Sequence, residues 1–410
     1  MHTVTFWLSL ILVFMIPWEN SVVIAGLGTL TRVTGLLVTA FWGVTVVATG
    51  RFRKPHPFHL AVYLFVLWNV ISVFWSVDVD WTVTRIQTYF QVAGLAYILW
   101  DLYTTPAALK AGLQAYVLGA YVSIGSTVAN YLAGNAFSDV DPHRYSGAGL
   151  NTVDLALILA LSIPVAWHLA VSASNNKKSD VLRLVNYAHI PAALFAMLLG
   201  ATRAGLIATV PAFLFILGTF TRLKLSSRVL IFAALIGALF ALQPLVPQTS
   251  FDRLATTGAS IAAGDLGGRV DIWREGIAVF LEHPLLGVGS GAFRTAVESD
   301  KIAHNTFLSV LVEGGIVGFV LFVIILAITV YQARRQPKWD SRFWLTVLLV
   351  WAVGVSSLTW EHRKPTWLFL SLVVVSASLS SQRDESTLRS EYPVEPFGLP
   401  NGWKLDPSDY

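Results

Sequence analysis

The segment AHNTFLSVLVEGGIVGF, residues 303–319, sets a histidine and an asparagine just before an apolar run, then interrupts the run with an acid and two glycines. Imidazole titrates near neutrality, so His304 is suited to take a proton or a hydrogen bond from an incoming hydroxyl. The position equally suits an interfacial histidine with Asn305 as a helix cap. Glu313 follows nine residues on, roughly 13 Å deeper by helical rise. That is too far to orient His304, so Glu313 is expected to bond another span from inside the bundle. Gly314, Gly315 and Gly318 allow close helix approach there.

Two arginines invite phosphate chemistry. Arg203 lies in LLGATRAGLIA between two apolar runs, with no acid nearby in sequence. A charge so close to lipid is costly and faces a cavity or a partner, unless it snorkels to the surface. Guanidinium suits the first role because it grips phosphate oxygens in pairs. Arg269 opens GGRVDIWREGIAVFLEHP, which reads as an amphipathic helix over 269–283, preceded by glycines and stopped by Pro284. Its apolar stripe is Val270, Trp273, Ile277 and Phe280. The helix either lies on a membrane surface or presents Arg269 to a phosphate at a cavity mouth. LLGVGSGAF, 285–293, has three glycines but matches neither dinucleotide nor Walker patterns. It is expected to be a tight turn that packs backbone closely. Two Asp-x-Asp pairs, Asp78/Asp80 and Asp139/Asp141, have a spacing that can hold a divalent ion but is common in loops.

These residues must be positioned by membrane spans. Of 410 residues, 55% are hydrophobic and only 13% charged, and mean hydropathy is +0.63. A soluble chain carries about twice that charge fraction. Apolar runs long enough for a hydrocarbon core of about 30 Å recur throughout. The fold class is therefore all-α, a polytopic membrane protein with about 12 spans. They are placed at 4–17, 32–49, 58–76, 82–101, 108–133, 150–172, 184–200, 202–220, 228–244, 304–331, 342–359 and 365–381. Residues 18–31 read as a re-entrant or interfacial piece. The organisation is spans 1–9 over 1–244, a long outside loop over 245–303, spans 10–12 over 304–381, and a disordered tail over 382–410.

Half of the 28 basic residues fall in five alternate loops, from Arg51, Arg53 and Lys54 to Arg334, Arg335, Lys338 and Arg342. Those loops should be cytoplasmic, with both termini, by the positive-inside rule. The 15 tryptophans suit membrane interfaces. The chain has no cysteine, so disulfides and thiolate metal sites are excluded. A net charge of +4 spread over topology loops gives no nucleic-acid patch.

Taken in order, FWSVDVDWTVTR, HRYSGAGLNTVDLALILALSIP, GATRAG, the loop starting at Arg269 and the span starting at His304 resemble the O-antigen ligase and O-antigen polymerase superfamily. The resemblance covers roughly 58–335. It implies a helical bundle of the lipid-linked-sugar (GT-C-like) glycosyltransferase type. It implies an inner-membrane enzyme with its site facing the periplasm, using no cofactor and no metal. The donor would be an undecaprenyl-pyrophosphate-linked glycan, moved with inversion to a hydroxyl of a glycolipid or glycan acceptor. By position the catalytic residues fall on His304, Arg269 and Arg203; Asn305, Arg144 and Trp273 are further expected to bind substrate. One departure is visible: relatives often carry Asn-Pro-Asn where this chain has Asn151-Thr152-Val153-Asp154. Ligation to a final acceptor is the first expectation, polymerisation of repeat units the second, and transport of a lipid-linked sugar the third.

Overall fold

The computed structural model describes residues 2–137, 143–172, 177–256 and 268–391. Among them, each of the twelve expected spans coincides with a helix. These are α1 (His2–Met15), α2 (Leu30–Thr49), α3 (Pro57–Ile71), α4 (Val79–Leu102), α5 (Pro106–Leu132), α6 (Thr152–Val171), α7 (Lys177–Leu199), α8 (Arg203–Thr219) and α9 (Leu225–Leu242). Beyond the loop come α10 (Gln248–Ala255), α11 (Arg269–Glu282) and the single turn α12 (Phe293–Ala296). The last three are α13 (Thr306–Arg334), α14 (Lys338–Val355) and α15 (Lys364–Glu391). Eight of them are long and apolar enough to cross a membrane: α2, α3, α5 to α8, α13 and α15. The fold is an all-α, polytopic membrane bundle.

Burial sorts the helices. The apolar window of α6 is 94% inside the protein and that of α15 is 78%, so these two form the centre. α2 instead exposes Leu36, Leu37, Phe41, Val44 and Val47, as a helix facing lipid must. Alternate loops gather at opposite ends. At one end Arg53 donates to the Trp100 carbonyl at 2.9 Å, and the Arg222 guanidinium lies 4.2 Å from the Trp339 ring. The opposite end collects the starts of α4, α6, α8, α13 and α15.

Three features add to or depart from the sequence reading. Residues 18–31 include a two-stranded hairpin, Val23–Ile24 against Gly28–Thr29, beside the starts of α6 and α15. The last helix, expected to stop at 381, runs on to Glu391, because QRDESTLRSE holds helix formers and no proline. Residues 392–410 lie outside the described residues. Finally, α13 is broken at Gly315, whose φ of 60° and ψ of −167° belong to glycine alone. Both Gly314 and Gly318 face Trp68 of α3, the close approach expected of them.

Candidate active site

The end that gathers these helix starts is organised around two short stretches, 302–306 and 358–364. Asn305 caps α13: its side-chain oxygen accepts from Phe307 N at 3.0 Å and Leu308 N at 3.1 Å. One residue earlier, His304 takes a left-handed φ of 47°, a conformation that only a few per cent of non-glycine residues adopt. Flanking contacts hold it there. Trp273 of α11 donates from Nε1 to the Ala303 carbonyl at 2.9 Å. Thr306 donates to the Leu358 carbonyl and accepts from Trp360 N, each at 2.8 Å. Asn305 and Trp273 therefore position the backbone on either side of the imidazole.

The His304 ring is half-buried. Burial first, then Arg269, lowers its pKa; Asp154 pulls it upward and Lys301 down. Arg269 and His304 are thus within electrostatic reach of one another. Arg269 is itself partly buried, which lowers its own pKa. Asp154 sits in the first turn of α6, where the helix dipole favours an acid. Its carboxylate accepts from Asn151 Nδ2 at 2.7 Å, Trp360 Nε1 at 2.6 Å and Arg363 Nη2 at 3.2 Å. Asn151 also caps α6 through Val153 N and Asp154 N. In the turn where the sequence departs from its relatives, Asn151 and Asp154 are committed to this network.

Arg203 and Arg144 stand along the seam between α6 and α8. Arg203 donates from Nε to the Arg253 carbonyl and from Nη2 to the Thr256 hydroxyl, both at 2.8 Å. It thereby holds the C-terminal end of α10. Arg144 donates from Nε to the Gly200 carbonyl at 3.1 Å and from Nη2 to the Thr152 hydroxyl. Its geometry fixes the 143–151 segment to the α7–α8 turn. The structure therefore brings Arg269 and Asp154 within electrostatic reach of His304, while Arg203 and Arg144 have backbone and hydroxyl partners.

The stretch 284–291 fills the break in α13. Val288 N donates to Val312 O and Gly289 N to Glu313 O, each at 3.0 Å, and Ile316 N donates back to Pro284 O at 2.9 Å. A Cβ at Gly287 would meet Glu313 O at 2.4 Å, and one at Gly315 would meet Leu285 O at 2.2 Å. The glycines are what let two backbones bond directly. Glu313 completes the seam: it accepts from Gly291 N at 2.7 Å and Ser309 Oγ at 3.2 Å, with Arg85 of α4 at 3.8 Å. This matches the expectation that it bonds another span.

One expected face is rotated. α11 buries Ile272 and Gly276, with Val279 and Phe280 packed beside them, while Ile277 is 50% exposed. Gly276 is the reason, since its missing side chain admits the Phe293 ring. Asp78 of the first Asp-x-Asp pair caps α4, accepting from Trp81 N at 3.1 Å, and takes the Thr295 hydroxyl at 2.7 Å. Asp139 and Asp141 lie outside the described residues.

Sequence reasoning missed the turn 360–364, WEHRK. Glu361 is wholly buried and bonded to Arg85 and to His362 Nδ1, the latter at 3.0 Å. Arg363 lies 3.8 Å from Glu19, and Lys364 bonds Glu19 at 2.5 Å. The signal was present: Arg85 and Glu313 are opposite charges within apolar segments, where ionisable groups need partners.

Residues 190–323 match the family model described as O-Antigen ligase, a span that contains Arg203, Arg269 and His304. The chain is also 26% identical over 374 residues to an O-antigen ligase of Pseudomonas aeruginosa, with 88% of each chain covered. These matches bear out the resemblance to the O-antigen ligase superfamily.

Proposed function

From that resemblance, we propose that the protein is a glycosyltransferase of O-antigen ligase type. It moves a glycan from undecaprenyl pyrophosphate to a hydroxyl of a glycolipid acceptor at the periplasmic face, with inversion and without a metal. The observation that carries the reading is the left-handed His304 beside Arg269 at the start of a spanning helix. As the bond between sugar and pyrophosphate breaks, negative charge grows on the leaving oxygen. A partly desolvated guanidinium stabilises that charge more in the transition state than in the ground state. Arg269 takes this role, and Arg203 fixes the end of α10. His304 orients the acceptor hydroxyl. The donor is already activated, so the reaction needs no nucleotide.

Purified protein in nanodiscs, given this donor and a lipid A core acceptor with EDTA present, is expected to form the joined product. R269A should slow transfer by about a hundredfold to a thousandfold, and H304A by about a hundredfold or more. Full activity in both variants would remove these residues from the site. Extension of the donor glycan instead of attachment to the core would assign the protein as a polymerase.

A further inference from the structure

The turn 360–364 has four side chains committed inward. Trp360 donates to Asp154, Glu361 takes Arg85 and His362, Arg363 reaches Asp154 and Glu19, and Lys364 bonds Glu19. The exception is His362, whose side chain is 22% exposed while Glu361 beneath it is wholly covered. A carboxylate only accepts, so Nδ1 of His362 carries the proton and Nε2 presents a lone pair. Among the described residues no side chain takes that nitrogen. Glu361 is in turn fixed by Arg85, which also lies 3.8 Å from Glu313 in the seam that fills the α13 break. The order is a cation, a buried acid and a half-open imidazole.

His304 has no such arrangement. Its electrostatic neighbours are Arg269 and Lys301, and its acid neighbour, Asp154, already accepts three hydrogen bonds. A proton on His304 would place an imidazolium among cations. A proton on His362 would meet a carboxylate already bonded to its ring. An imidazole backed by a carboxylate is the arrangement suited to general-base work.

We propose that His362, oriented by Glu361 and anchored through Arg85, is the group that takes the proton from the acceptor hydroxyl, while His304 orients that hydroxyl. This rests on the glycosyl-transfer reading above. The hydroxyl oxygen bonds the anomeric carbon. The bond from that carbon to the pyrophosphate oxygen breaks, and its electron pair leaves with the lipid pyrophosphate. The hydroxyl proton passes to Nε2, Glu361 remains ionised and holds the imidazolium, and water then removes the proton. In the free protein, burial first and Arg85 second lower the His362 pKa to about 4 against the upward pull of Glu361, so the ring waits neutral. The bound pyrophosphate adds negative charge at this end, which raises the basicity of the ring during turnover.

The test uses the full-length protein in nanodiscs with the undecaprenyl-pyrophosphate glycan and the core acceptor. H362A should lose at least about a hundredfold in kcat with little change in acceptor KM. Free imidazole should restore part of that rate in H362A and none in H304A. H362N, whose amide nitrogen keeps a donor at the Nδ1 position facing Glu361 and so guards against misfolding, should show the same loss at an unchanged melting temperature. A folded variant at His362 that keeps more than a tenth of the rate overturns the proposal, as does a loss that imidazole fails to restore. Wild-type protein that transfers nothing would instead overturn the glycosyl-transfer reading itself.

Discussion

His304 combines a strained backbone with a restrained setting. A non-glycine residue at positive φ costs about 1–3 kcal/mol and persists only where neighbours over-determine it. Trp273 on one side and the Asn305 cap on the other do this. His304 and the Asn305 cap were legible in the sequence because a polar pair before an apolar run is conspicuous. The tether from Trp273 to the Ala303 carbonyl was not. Glu361 and Arg85 were not legible together, since 276 positions separate them. Their effect on His362 gives a pH prediction. The charged groups acting on the ring are Arg85 on α4, and Glu361 and Arg363 in its own turn. Burial and Arg85 hold the His362 pKa at about 4, below the ordinary 6.5, so the neutral base persists as pH falls through 6.5. The acid limb of kcat/KM should therefore lie below about pH 5. E361Q removes the upward pull, so its limb should shift lower still and its rate should fall. A limb near 6.5 that ignores E361Q would contradict this.

At the scale of elements, hydropathy located the helices well, because each apolar run had to satisfy its own backbone as a helix. The break in α13 escaped that logic. EGG and GVGSG each announced close packing, but their mutual pairing depends on a contact between segments more than twenty residues apart. The energetics are specific to position. Gly315→Ala forces a side chain into backbone reserved for glycine and against Leu285 O. It should lower stability by at least about 1–3 kcal/mol, read as a lower melting temperature in detergent. Gly125 in α5 has nothing within 4 Å of an added Cβ. Gly125→Ala should be neutral, or stabilise by about 0.5–1 kcal/mol. Equal melting of the two variants would dismiss the seam as a structural support. The rotated face of α11 follows the same rule: one glycine, by admitting Phe293, decided which side of the helix is inside.

For the whole molecule, the bundle places its two most buried helices, α6 and α15, so that both begin at the candidate site. Their first turns supply Asp154 and Lys364 from the most rigidly packed part of the protein. The sequence showed the order of the long helices but not which were central, because apolar residues facing lipid and apolar residues facing protein read alike. The orientation expected from the basic loops can be tested directly, as the chain has no cysteine of its own. A membrane-impermeant maleimide should label K301C in cells with a permeabilised outer envelope, and K54C only after lysis. The reverse pattern would turn the molecule over. The seam between 284–291 and α13 has one more consequence. Main-chain bonds and glycines carry much of that joint, so it is largely indifferent to the side chains of α11 above it. Only the exposed face of α11 is therefore free to vary on a fixed mount, since Arg269, Trp273 and Gly276 face the site and its supports. A change of substrate preference can arise by rewriting that face, at Arg274, Ile277 and Leu281, while Gly287, Gly289 and Gly315 stay the same.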